Sequence, residues 1–252
     1  MTRRTRTAFA AVGLLFLLPT AVLAATAKGR VTNTHDLLNP VWNEAKDPNA
    51  RRFTFREPAA SVPPDSRVLR GHISKELCLV ALKDGAQALK TPLRIKIAGG
   101  RTSFVTLVVP PGQEIRFENH DPTPHAIYEV SGAGGFTKGT MQPDGSRSWT
   151  PPGPGKYEIR DELSPSLRSW VVVEPKAVKS VYPNRKGEFA MELEPGTYDL
   201  RAYYNGEPVG EVLPVEIKPA PAEQQLPNPL KAGADPKKAD EEKKDEPAKA
   251  GG

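Results

Sequence analysis

Cysteine is almost absent from this chain. Cys78 is the only one, so no internal disulfide can staple the fold and a zinc site built on cysteine ligands is excluded. Its surroundings, Glu-Leu-Cys-Leu-Val-Ala-Leu at 76–82, read as a strand and assign Cys78 to a buried apolar position rather than to thiol chemistry. Aromatic residues are scarce, at 7%, and no dense Lys/Arg run is interleaved with them, so nucleic acid finds neither a stacking platform nor a phosphate track. Enzyme motifs are missing as well. There is no Gly-x-Ser-x-Gly elbow and no His-Glu-x-x-His helix. The glycine-rich stretch SGAGGFTKGT lacks the Gly-Lys-Ser/Thr ending of a phosphate loop, because Gly139 follows Lys138. No catalytic residue is assigned, and the chain is not read as an enzyme.

Long apolar runs are also lacking, with one exception near the start. Ala8 to Leu18 is apolar but falls short of the ~20 residues that span a bilayer. It follows Arg3, Arg4 and Arg6 and precedes Val22-Leu23-Ala24, the small-residue pattern of a cleavage site. Residues 1–24 are therefore expected to be a secretory signal peptide. That expectation makes the protein periplasmic or secreted, with no transmembrane span after signal removal. Loss of the three arginines lowers the formal charge of +5 by three, so the basic pI carries little information about partners.

Turn formers, by contrast, are plentiful: 27 prolines and 21 glycines, which favours a turn-rich β protein over a large α/β enzyme. Between about 66 and 217, short alternating segments (LCLVAL, PLRIKIA, SFVTLVV, QEIRFEN, HAIYEV, KYEIRD, SWVVVE) are punctuated by DG, GG, PPG, PDG and PPGPG. Such spacing reads as an antiparallel sandwich or barrel. Near the end, Phe189, Met191 and Leu193 share one face of a strand, and Tyr198, Leu200, Ala202 and Tyr204 share one face of the next. This is a hairpin with one buried side, too small to hold a core alone.

Residues 25–65 are poor in core formers and are expected to form an N-terminal arm, with Leu37, Leu38, Val41 and Trp42 as the apolar side of a short helical turn. Residues 218–252 mix charges and proline with few apolar side chains, which predicts a disordered C-terminal tail.

One block carries a family likeness. Val105 to Val109, Pro111-Gly112, Ile115 to Asn119, Asp121 and His125 lie in one order, followed by Gly155-Lys156-Tyr157 and Trp170 to Val173. The block, roughly 90–174, resembles the cupredoxin family, and in particular exported methylamine-utilisation-type cupredoxins. The resemblance implies an all-β, cupredoxin-like Greek-key β-sandwich over 66–175, with His125 at the position of the first copper ligand. In RDELSPSLRSW, however, the same resemblance places Asp161 where the family has cysteine, Ser164 where it has histidine and Leu167 where it has methionine. A blue-copper site needs a thiolate and two imidazoles, so a copper site lost is the expectation, with no cofactor. Residues 176–217 resemble a carboxypeptidase-regulatory-like (transthyretin-type) β segment, read as a second smaller β-sandwich. It either stands beside the first or pairs with 67–85, the cupredoxin block then being inserted into it.

Three functions follow. The first is a non-enzymatic exported binding or scaffold protein whose partner is an unknown envelope protein or glycan. The second is a copper-handling protein with an atypical site drawn from His125, Asp161, His120 and Met141. The third is a hydrolase using Ser164, His125 and Asp121 or Asp161. In the bland alternative to all metal chemistry, His125 hydrogen-bonds Asp161 or a backbone carbonyl and pins two loops.

Overall fold

Alternation of apolar and polar residues, broken every few residues by glycine or proline, leaves the chain little choice but short strands. The computed structural model describes residues 24–37 and 73–233. Residues 1–23, nearly all of the expected signal peptide, the arm from 38 to 72 (Leu38, Val41 and Trp42 included) and the last 19 residues lie outside the described residues.

The chain opens with β1 (Ala25–Thr32) and a 3-10 turn at Thr34–Leu37. It resumes with a single helical turn at Ile73–Glu76 and β2 (Leu77–Leu82). A block of nine strands follows: β3 (Leu93–Ala98), β4 (Arg101–Thr102), β5 (Thr106–Val109), β6 (Ile115–Asn119), β7 (His125–Glu129), β8 (Gly139–Met141), β9 (Ser146–Trp149), β10 (Gly155–Asp161) and β11 (Arg168–Val173). The last six are β12 (Ala177–Val181), β13 (Glu188–Leu193), β14 (Gly196–Tyr204), β15 (Glu207–Ile217), β16 (Glu223–Gln225) and β17 (Leu230–Lys231). Among the described residues no helix is long and apolar enough to cross a membrane.

These strands build four sheets, stacked as layers. Sheet order β4-β3-β6-β9 faces β5-β11-β10-β7-β8 to make the first, Greek-key sandwich. Ile95, Ile97, Ile115, Phe117 and Trp149 from one sheet meet Leu107, Ile127, Tyr157, Ile159 and Val171 from the other. Sheet order β12-β2-β14-β15 faces β13-β1-β16, with β17 also on β1, to make the second. There Leu77, Leu79, Ala81, Leu200 and Ala202 meet Ala27, Val31, Phe189, Met191 and Leu193. The protein is all-β.

The two inner layers touch through a third, smaller core of Cys78, Val80, Val108, Ala177 and Tyr203. β2 is the reason. Leu77, Leu79 and Ala81 point into the second sandwich, while Cys78 and Val80 point at the first. A strand buried on both faces must be apolar throughout, which explains the unbroken Leu-Cys-Leu-Val-Ala-Leu. Truncating Leu79 to alanine is expected to cost about 2–5 kcal/mol. The free edge of β5 is closed by hydroxyls from β12 and beyond: Ser180 Oγ donates to the Val108 carbonyl at 2.7 Å and Tyr182 Oη to the Thr106 carbonyl at 2.6 Å. Tyr182 also stacks on Phe104 with ring centroids 3.8 Å apart.

Three boundaries move. The N-terminal arm begins as β1, a central strand flanked by β13 and β16. Its inward side chains are Ala25, Ala27 and Val31, with Gly29 between them, too small to register as a core pattern. Gly29 is needed: a Cβ there would sit 2.6 Å from the Phe189 ring. The cupredoxin-like block does not start at 66, because β2 pairs with β12 and β14 in the second sandwich; the first sandwich begins at Leu93. The folded chain also runs past 218. β16 and β17 lie parallel to β1, and Leu226, Leu230 and Ala232 are buried. Ladder hydrogen bonds and these few apolar contacts hold a segment whose average composition is polar.

Candidate functional site

The site lies where the sheets of the first sandwich end, in the loop joining β6 to β7. Asn119, the last residue of β6, is buried and organises the turn. Its Nδ2 faces the carbonyls of Thr123 (2.9 Å), Met141 (3.2 Å) and Gln142 (3.1 Å), and its Oδ1 accepts from the Asp121 backbone N–H at 2.8 Å. An asparagine side chain that bonds two residues on is a local turn former. Here it aims the Asp121 carboxylate inward.

Asp121 is received by the β3–β4 turn. The backbone N–H groups of Gly99 and Gly100 donate to its two oxygens at 2.6 and 2.8 Å. Both glycines have positive φ, 62° and 66°, and successive N–H groups in such a turn form a small anion-binding concavity. These two N–H groups, Gly100 first, hold the Asp121 carboxyl below its ordinary range, with the nearby His125 a smaller cause acting against desolvation.

His125 opens β7, only 2% exposed. Its Nε2 lies 3.0 Å from Asp121 Oδ2, and its Nδ1 makes a short contact to Asp161 Oδ2. Asp161, the last residue of β10, has a fully buried side chain. Its other oxygen accepts from the backbone N–H groups of Ala126 and Leu163, both at 2.9 Å. Carboxylates only accept, so both ring contacts are hydrogen bonds together only when both nitrogens carry hydrogen. The result is one imidazole ring clamped between two carboxylates, each of which is further satisfied by two backbone donors. Neither ring nitrogen faces open space. The clamp ties together the Gly99-Gly100 turn, the 119–125 loop and the 161–167 loop.

The sequence-predicted residues divide accordingly. His125 and Asp161 converge, and Asp121 completes the trio. His120 does not join them. It is 44% exposed, with Nε2 3.7 Å from Glu118 Oε2 on the outer face of the sheet, because the alternation that turns Asn119 inward turns its neighbour outward. Met141 is buried and stands directly across from His125 in the β7–β8 ladder. Ser164 is part of the third loop, but its Oγ has Ser166 Oγ, 3.5 Å away, as its side-chain partner. Leu167 is packed into the core of the first sandwich. Sequence reasoning offered Asp121 or Asp161 as a partner for His125; the feature it missed is that both engage the ring at once. Its signal is an Asn-x-Asp turn together with a Gly-Gly pair, but these stand some twenty residues apart.

A second buried carboxylate, Glu129, stands at the far end of β7. It accepts from the N–H groups of Ser131 (2.8 Å) and Gly134 (3.0 Å), and Trp149 Nε1 donates to the Gly134 carbonyl at 2.8 Å. These bonds hold its carboxyl below the ordinary range against the desolvation that opposes them. The glycine-rich stretch is thus wrapped around its own carboxylate and offers no cradle to a phosphate.

No protein-family model matches the chain, and no curated protein matches it. Among solved structures, an amicyanin variant in its Cu(I) form is 24% identical, covers 38% of this chain and 98% of its own, and superposes with a TM-score of 0.32. A purple cupredoxin from Nitrosopumilus maritimus is 19% identical over 32% of this chain and 99% of its own, with a TM-score of 0.30. Each aligns along nearly its whole length to about a third of this chain.

Proposed function

We propose that this is a non-enzymatic, exported β-sandwich binding or scaffold protein, in which a cupredoxin-like loop end is closed by an Asp–His–Asp clamp in place of copper. One observation carries this reading: both nitrogens of His125 are engaged by carboxylates. A metal ligand must present a lone pair, and so must a general base. The donor set also fits poorly with type 1 copper, which needs a thiolate and a second imidazole. Asp161, Ser164 and Leu167 stand where the family resemblance would put those ligands and the thioether. The hydrolase reading loses its base for the same reason, and Ser164 Oγ pairs with Ser166 while His125 pairs with the two carboxylates. The second sandwich, with its carboxypeptidase-regulatory-like hairpin, serves as a packing module, and export rests on the N-terminal sequence.

The alternative, a copper-handling protein with an atypical site around His125, draws on one observation, the thioether-bearing Met141 opposite His125 in the ladder. Titrating the purified protein with Cu(II) and with Cu(I), beside His125→Ala, separates the two. The clamp reading expects affinity no tighter than millimolar, no thiolate-to-copper absorption band, and a loss of folding stability in the variant. Stoichiometric micromolar binding that His125→Ala abolishes would establish the alternative instead.

A further inference from the structure

The outer face of the β4-β3-β6-β9 sheet forms one end of the stack of layers, and cations from three strands gather there. Cross-strand register sets Arg94 beside Arg116 and Ser148, Lys96 beside Glu118 and Ser146, and Ala98 beside Arg101. Side chains at paired positions share a face, so Arg94, Lys96, Arg101 and Arg116 stand together in two or three rows. Strands lie about 4.8 Å apart and alternate residues about 6.7 Å apart along each strand. One carboxylate, Glu118, sits among them. It is engaged by Arg94 at 3.2 Å and lies 3.7 Å from both Arg116 and His120. Lys96 and Arg101 are exposed and make no ion pair among the described residues. The outer face at the opposite end of the stack is different: there Glu188, Glu192 and Glu223 stand against Lys28 and Arg30.

Among the described residues nothing on the cationic face is apolar and large. Phe117 and Trp149, on the same strands, point inward, and the exposed large hydrophobic residues (Leu89, Val130, Leu163 and Val212) are not at these strand positions. That excludes most partners. A stable protein interface needs an apolar centre with buried anchors. A peripheral membrane face held by more than charge needs side chains that enter the acyl boundary, and attraction by charge alone is measured by the vesicle arm of the test below. Single-stranded nucleic acid needs an aromatic platform. A hydrated polymer carrying repeated negative charge needs none of these, only rows of cations and hydroxyl donors on an accessible surface.

The geometry points to this face as a binding surface for an anionic polysaccharide, a glycan bearing carboxylate or sulfate groups. Arg94, Lys96, Arg101 and Arg116 take the anionic groups, while Ser146 and Ser148 donate to hydroxyls or ring oxygens. The site is separate from the clamp at His125 and does not depend on how that clamp is read.

The test uses the full chain and titration calorimetry at about 50 mM salt. The probes are heparin for sulfate, polygalacturonate for carboxylate, poly-glutamate for an acidic peptide, and phosphatidylglycerol vesicles for an anionic membrane. Binding to one or both polysaccharides is expected, weakening steeply with added salt as counterions are released. Lys96→Glu/Arg101→Glu is expected to weaken it about tenfold or more. Lys179→Glu/Lys218→Glu makes the same change in net charge elsewhere and is expected to change it less than about twofold. Unaltered thermal melting of both variants separates loss of binding from loss of fold. Equal weakening by the two variants, no binding to either polysaccharide, or binding to poly-glutamate or vesicles as tight as to the polysaccharides would each overturn the proposal.

Discussion

Two of the places where this protein buries polar side chains do so in opposite ways. At the loop end of the first sandwich the groups are acidic and basic side chains, and each has a designated partner: Asp121 and Asp161 on either side of His125, with four backbone N–H groups completing the carboxylates. At the seam between the sandwiches the buried groups are neutral. Cys78, Ser180 and Tyr182 lie among Val80, Val108 and Tyr203. Desolvation pushes the Cys78 thiol up to about 11, and burial raises Tyr182 well above its ordinary range and Tyr203 to about 12. Acidic and basic side chains are buried where separate loops must be fixed to one another. Neutral hydroxyl and thiol groups are buried where one sheet must lie flat on another.

The sharpest way to break the contrast is to remove a partner from the clamp. Asp161→Ala leaves the His125 ring and two backbone N–H groups without their acceptor in a buried setting. Breaking a buried pair in this way costs about 3–5 kcal/mol, to be read as a drop in the urea midpoint with an unchanged slope. Asp161→Asn keeps the shape and one acceptor, and is expected to lose less.

Acid should act on the clamp next. Asp121 has a folded value below its unfolded 3.8, so its contribution is present above that value and is lost as pH falls through the folded one. Stability of the wild-type chain is expected to decline below about pH 4. Asp121→Asn, already weaker at neutral pH, should show a shallower acid limb when unfolding is followed from pH 6 to 2.

The seam responds to smaller and opposite perturbations. Tyr182→Phe removes the bond to the Thr106 carbonyl and should cost about 0.5–1.5 kcal/mol, measured by thermal or urea unfolding at pH 7. Cys78 is raised from 9.0 to about 11, so its contribution is complete below pH 9 and is lost as pH climbs through the folded value. Cys78→Ala should therefore flatten part of the alkaline limb between pH 9 and 11 and leave the acid limb unchanged. The smallest effect is chemical. A thiol reagent at pH 8 should label Cys78 only as fast as the protein opens, and at the free-thiol rate in denaturant.

What the sequence made legible tracks the size and contiguity of the residues involved. Phe189, Met191 and Leu193 announce a strand by themselves, and the run around Cys78 announces a buried one. β1 hides because Ala25, Ala27 and Gly29 bury little area each, although their smallness is what lets Phe189 and Leu226 approach. β16 and β17 hide because ladder hydrogen bonds, which composition does not reveal, help to hold them. At the site, the pairing of His125 with Asp161 could be anticipated, since a family resemblance already set the two loops side by side. The Asp121 arm was raised only as an alternative to Asp161 within a hydrolase reading, and the Gly99-Gly100 turn that receives it could not be foreseen, because it belongs to a different hairpin. The cationic face was invisible for a related reason. Arg94 and Lys96, Arg101, and Arg116 come from three strands and become neighbours only through register.

The double-sided strand β2 has a consequence for how the chain is made. It precedes the whole first sandwich in sequence, yet its ladder partners, β12 and β14, come after it. The two ends of the intervening segment meet in the fold: the Lys83 N–H donates to the Lys176 carbonyl at 2.8 Å, and Lys176 pairs with Asp84 at 2.9 Å. A ribosome releases β1 and β2 first, and they must wait with apolar faces uncovered while some ninety residues emerge behind them. Folding of β3 to β11 then brings the two ends of the segment together. The long loop that the second sandwich has to close becomes entropically short, so the first sandwich acts as a clasp for the second.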